Sequence, residues 1–123
     1  MATILVIDDE DQMRSMLRTM LERAGHTVLD AQDGKVGQSI LSGQPVDLVI
    51  TDILMPERDG LEIIRAIQRS APGVKIIAIS GGGRTGKLDF LEEAKEFGAH
   101  SVLHKPFGSK ELMDAIEALQ EDV

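Results

Sequence analysis

Residues 48–56 read Leu48-Val49-Ile50-Thr51-Asp52-Ile53-Leu54-Met55-Pro56, an apolar run that ends in a single carboxylate. Asp59-Gly60 follows within a few residues. The run is too short for a core helix and is bounded by turn residues, so it reads as a buried strand. That strand delivers Asp52 to its C-terminal end, and Pro56 and Gly60 close the loop beyond it. In open α/β sheets, ligands bind outside the carboxyl ends of the strands. A lone Asp there is weak evidence, because Asp is common in turns. It gains weight if other strands bring matching groups to the same edge.

Other strands do so. Upstream, Ile4-Leu5-Val6-Ile7 is an unbroken apolar run without alternation, the pattern of a strand covered on both faces, and Asp8-Asp9-Glu10-Asp11 follows it. Met13, Met16, Leu17, Met20, Leu21 and Ala24 recur at helical spacing, with Gly25 as the stop. The methionines are core filling rather than metal ligands. Thr27–Ala31 is a second, more polar strand suited to a place near the sheet edge. Asp33-Gly34 opens a short helix carrying Val36, Ile40 and Leu41, and Gly43-Gln44-Pro45 ends it. Downstream, Leu61, Ile64 and Ile67 mark a third helix stopped by Ala71-Pro72-Gly73. Lys75–Ser80 is the fourth strand, and Gly81-Gly82-Gly83 follows it. Leu88, Leu91 and Ala94, with Phe90 and Phe97, give a fourth helix ended by Gly98. Ser101–His104 is the fifth strand, leading into Lys105-Pro106. The last helix starts at Ser109 and carries Leu112, Ala115, Ile116 and Leu119. Strand and helix alternate five times with short connections, which predicts a doubly wound α/β fold with a five-stranded parallel sheet.

The composition narrows the chemistry. At 123 residues the chain has the length of one domain, residues 1–123, with a single core. It has no Cys, which removes disulfides, thiolate metal sites and a cysteine nucleophile. Met1-Ala2-Thr3 runs straight into a strand and no apolar run approaches a membrane span, so the expectation is a cytoplasmic protein without a signal peptide. The net charge of −8 argues against direct contact with a nucleic-acid backbone. With three Phe and no Trp or Tyr, little is available to stack on bases or flavins. His26, His100 and His104 have no ligand spacing and read as structural or surface residues.

Parallel strands bring Asp8, Asp9, Asp52, Ser80 and Lys105 to one edge. Neighbouring carboxylates repel, and Mg²⁺, which takes oxygen ligands, relieves that repulsion. An ammonium and a hydroxyl suit phosphoryl oxygens. An Asp nucleophile, a hard cation and two donors are the equipment for phosphoryl transfer to a carboxylate. Each element alone has a bland reading: Asp-Asp as a helix cap, Ser80 as a turn residue, Lys105 as a solvated charge. Their ordered occurrence at the right strand ends is what carries the argument.

With those residues in place, the chain resembles the receiver domains of bacterial two-component response regulators, including the single-domain chemotaxis regulator. The matching residues are Ile7-Asp8-Asp9-Glu10, Asp52 to Pro56 with Asp59-Gly60-Leu61-Glu62, Ser80 after Ile76-Ile77-Ala78-Ile79, and Lys105-Pro106-Phe107. The resemblance spans essentially the whole chain. It implies a flavodoxin-like three-layer sandwich with strand order 2-1-3-4-5 and Asp52 as phosphoacceptor. Mg²⁺ would be held by Asp9 directly, Asp8 through water, Asp52, and the backbone carbonyl of Leu54. Ser80 and Lys105 would contact the phosphoryl oxygens, and the bond before Pro106 would be cis. The family's switch position, commonly aromatic, is here Val102. A short β-branched side chain does not reproduce a ring movement, which leaves the Gly81-Gly82-Gly83 loop as another moving part.

The implied activity is acceptance of a phosphoryl group from a phosphohistidine on a sensor histidine kinase or histidine phosphotransfer protein. Output would pass to a protein target through the face of helix four, strand five and helix five, with no direct nucleic-acid or membrane contact. A phosphorelay intermediate, a phosphate sink or a receiver fragment of a longer regulator fits the same residues. An aspartyl-nucleophile phosphatase usually carries a second Asp two residues after the first, where this chain has Leu54. A flavin carrier needs a hydroxyl- and glycine-rich loop after strand one, where this chain is acidic.

Overall fold

The computed structural model describes residues 2–52, 59–80 and 94–121. The elements run β1 (Thr3–Ile7), α1 (Asp11–Arg23), β2 (Thr27–Ala31), α2 (Gly34–Gly43), β3 (Leu48–Asp52), α3 (Asp59–Ser70) and β4 (Lys75–Ser80). Residues 94–97 are helical (α4, as far as it is described), followed by β5 (Ser101–His104) and α5 (Ser109–Glu121). The sheet order is β2-β1-β3-β4-β5 and every pairing is parallel. The doubly wound parallel sheet is the one expected from the alternation of strand and helix, and its order is the one the family resemblance implies.

The unbroken apolar strands are divided by their period of two. Ile4, Val6, Ile50, Ile77 and Ile79 face α1 and α5, where Leu17, Leu21, Leu112 and Ile116 meet them. Leu5, Ile7, Val49, Ile76 and Ala78 face the other layer, where Leu61, Ile64, Ile67 and Ala94 pack. Burying such a branched side chain stabilises the fold by about 1.5–3 kcal/mol, so these two cores fix which face each strand residue takes.

Local signals set the element ends. Gly25 follows α1 at φ +96° and Gly98 ends the helical turn at residues 94–97 at φ +131°, the left-handed region where a side chain is strained. The Asp33 carboxylate caps α2 by accepting from the Val36 N–H at 2.9 Å. In α2 the buried positions are Gly34 and Gly37, whereas Val36 is exposed. The helix lies so close to its neighbours that a Cβ on Gly37 would stand 2.6 Å from Ile7 Cδ1.

Two histidines are structural, as their scattered spacing suggests. His26 Nδ1 accepts from the Ala2 N–H at 3.1 Å, and His100 Nδ1 accepts from the Ile76 N–H at 3.0 Å. Each tacks the start of an outer strand to its inner neighbour. The Gly81-Gly82-Gly83 loop and the first part of the fourth helix lie outside the described residues.

Candidate phosphoryl-transfer site

Register builds the site. Ile7 pairs with Thr51 across β1 and β3, so Asp8 and Asp52, the next residues, stand side by side at the carboxyl edge. They share the face of Val6 and Ile50 because each is two residues further on. Asp52 pairs with Ile79, and Ser80 pairs with His104, which places Lys105 one residue past that edge. The edge lies at the switch point between β1 and β3, where the chain reverses its winding.

Asp52 has 6% of its side chain exposed, and its Oδ2 lies 3.2 Å from the ammonium of Lys105, whose side chain is 23% exposed. The Lys105–Pro106 peptide bond is cis. Asp8 is 1% exposed. Its Oδ1 accepts the Glu10 N–H at 2.9 Å, while Oδ2 is buried with no hydrogen-bond partner among the described residues. Burial pushes the Asp8 carboxyl up to about 6; the Glu10 N–H and Lys105 oppose that rise, and the charges of Asp52 and Asp9 add to it.

Arg14 belongs to this turn too. Its Nη1 donates to the Asp8 carbonyl at 2.7 Å and its Nη2 pairs with Asp11. Sequence reading passed over Arg14. The available signal was a basic residue one turn into the helix behind four consecutive acids.

The structure thus brings Asp8, Asp52 and Lys105 together. Asp9, the residue after Asp8, is exposed. Among the described residues, no group of three metal-ligating side chains is arranged to hold an ion. A cation nevertheless fits the donor set. A buried carboxylate oxygen without a donor, beside a second buried carboxylate, is an arrangement that a hard cation stabilises. Leu54 lies outside the described residues. Ser80 is placed by its backbone at the end of β4. Val102 packs, half-buried, against the core on the α3 side of the sheet.

The sequence pattern of the response regulator receiver domain matches residues 4–117. The DNA-binding transcriptional regulator NtrC of Azospirillum brasilense is 36% identical over 116 residues, 94% of this chain and 24% of that protein. Sporulation initiation phosphotransferase F of Bacillus subtilis (strain 168) is 30% identical over 114 residues, 93% of this chain and 90% of that protein. The chain spans about a quarter or less of some relatives, as with NtrC, and nearly all of others. The crystal structure of a response regulator receiver domain protein from Clostridium thermocellum superposes with a TM-score of 0.87 at 35% identity, covering 96% of this chain and 93% of that one. A buried aspartate paired with a lysine at the carboxyl edge of a 2-1-3-4-5 sheet is thus found in a chain that belongs to the response regulator receiver domain family.

Proposed function

We propose that Asp52 is the phosphoacceptor and that residues 1–123 act as one receiver unit taking a phosphoryl group from a phosphohistidine. The donor would be a sensor histidine kinase or a histidine phosphotransfer protein. The observation that carries the reading is the buried Asp52 carboxylate held 3.2 Å from Lys105 Nζ, beside buried Asp8.

In the transfer, an Asp52 carboxylate oxygen forms the new bond to phosphorus. The phosphorus–nitrogen bond to the donor imidazole breaks, and its electron pair leaves with the imidazole. Lys105 loses its hold on the unphosphorylated Asp52 carboxylate and balances charge on a phosphoryl oxygen instead. Asp8, with Asp9 and Asp52, would hold Mg²⁺, as would the Leu54 carbonyl; when bound, Mg²⁺ neutralises the carboxylates and the phosphoryl oxygens. Arg14, through the Asp8 carbonyl, braces the acidic turn. Ser80 is the candidate second donor. The protein acts on its own aspartyl phosphate and on no other substrate, and its output passes through the α4–β5–α5 face to a protein target in the cytoplasm.

Incubation with acetyl phosphate and Mg²⁺ should add one acid-labile phosphoryl group to the wild type and none to a folded Asp52→Asn variant. Equal labelling of the two would remove Asp52 from this role.

A further inference from the structure

Away from the phosphoryl edge, α3 and the helical residues 94–97 enclose an open groove of about 280 Å³, lined by Glu62, Arg65, Ala66, Arg69 and Phe97. The chain as a whole carries a net charge of −8, yet this groove presents two guanidinium groups and one carboxylate. Arg65 and Arg69 are four residues apart on α3, so they stand on one helix face. Both are exposed. Among the described residues neither guanidinium has an ion-pair partner, whereas Arg14 and Arg18 do. Arg65 sits over Phe97 with its Cζ 4.3 Å from the ring centroid. That cation–π contact limits the rotamers of a long side chain, and a guanidinium so held still has N–H groups to donate.

A half-buried aromatic floor with two forked donors at its rim, without ion-pair partners among the described residues, matches a carboxylate-bearing segment. The guanidinium fork meets a carboxylate with two parallel hydrogen bonds, and the ring covers an adjacent apolar side chain. The volume suits one or two side chains and not a whole helix.

We propose that this groove is a docking site for an acidic segment of a partner protein, with Arg65 and Arg69 reading its carboxylates and Phe97 forming its floor. The site lies on α3, apart from the carboxyl edge, and needs no phosphoryl group.

The test uses a fluorescein-labelled peptide, Glu-Asp-Glu-Leu-Glu-Asp-Glu, and the isotope-labelled whole chain without phosphodonor. Amide shift changes on titration should centre on residues 62–69 and on Phe97. Binding should weaken as salt is raised. The double variant R65E/R69E should lose about tenfold or more in affinity, since like charges then face the peptide. R69A alone should lose less, and F97A should lose affinity without changing the salt dependence. Lys35→Glu changes an exposed charge on α2 and should bind like wild type. Loss of binding in Lys35→Glu equal to that in Arg69→Ala would overturn the proposal, because net charge alone would then explain the effect. Shift changes centred elsewhere, or none, would overturn it as well. So would concentration-dependent self-association abolished by R65E/R69E, which would make the groove an interface between copies of this chain.

Discussion

Replacing Asp8 with Asn isolates the electrostatic tension of the site. The wild-type carboxyl is pushed from 3.8 to about 6, chiefly by burial. In the folded chain it keeps its proton to about pH 6, while the unfolded chain releases it near the ordinary value. The folded state therefore binds more protons across that window, and the stabilising contribution present below it is lost as pH rises through it. Moving from 3.8 to about 6 corresponds to about 3 kcal/mol, of which about 2 kcal/mol falls between about pH 4 and about pH 7. The substituted amide keeps an acceptor for the Glu10 N–H and carries no charge. Its NH₂ would occupy the place of the unpaired Oδ2 at a cost of about 1–3 kcal/mol, a cost that does not vary with pH. The slope against pH is therefore the diagnostic quantity, not the offset. Urea unfolding followed by far-UV circular dichroism, with chelator present, measures it; the chain has no Trp or Tyr to follow by fluorescence. The stability of the variant relative to wild type should rise by about 2 kcal/mol from about pH 4 to about pH 7. A difference flat to within about 0.5 kcal/mol over that range would refute the claim that ionised Asp8 strains the metal-free fold.

Mg²⁺ should raise the melting temperature of the wild type, by the equivalent of about 2.7 kcal/mol at a hundredfold excess over Kd, and Asp9→Asn should remove most of that gain; a wild-type melt indifferent to Mg²⁺ would count against the cation site. Gly37→Ala should destabilise the protein by roughly 1–2 kcal/mol, the overpacking against Ile7 exceeding the gain in helix propensity. Gly43→Ala, with nothing near its added Cβ, should leave stability unchanged or raise it; urea midpoints shifting the same way for both would contradict the close packing of α2 on β1.

The strands were legible because β1, β3 and β4 are short apolar runs buried on both faces, and such runs leave few alternatives. Asp52 and Asp8 followed from reading what comes directly after those runs. The strand ends place Lys105 at the same edge as Asp52 and the resemblance implies its contact with a phosphoryl oxygen, but its direct pairing with Asp52 is set by register, which no local pattern encodes. α2 was read through its aliphatic residues, yet it buries Gly34 and Gly37 while Val36 faces solvent. Glycine there serves close approach, and a periodicity count of apolar side chains gives it no weight. The role of Arg14 rests on a side chain reaching back to a main-chain carbonyl, which residue type alone does not announce.

The two histidine tacks have a consequence for how the sheet responds to acid. A ring nitrogen that accepts an N–H carries no proton, so His26 and His100 both hold theirs on Nε2. A doubly protonated ring has no acceptor to offer, and each tack is then undone. For His26, burial lowers the pKa, so the folded chain resists protonation and loses stability as pH falls below the usual histidine value. These contacts sit where the parallel strands begin, while Asp8 sits where they end. Acid relaxes the carboxyl edge by neutralising Asp8 and unfastens β2 at the amino edge by charging His26. The two ends of one sheet therefore answer a falling pH with opposite sign.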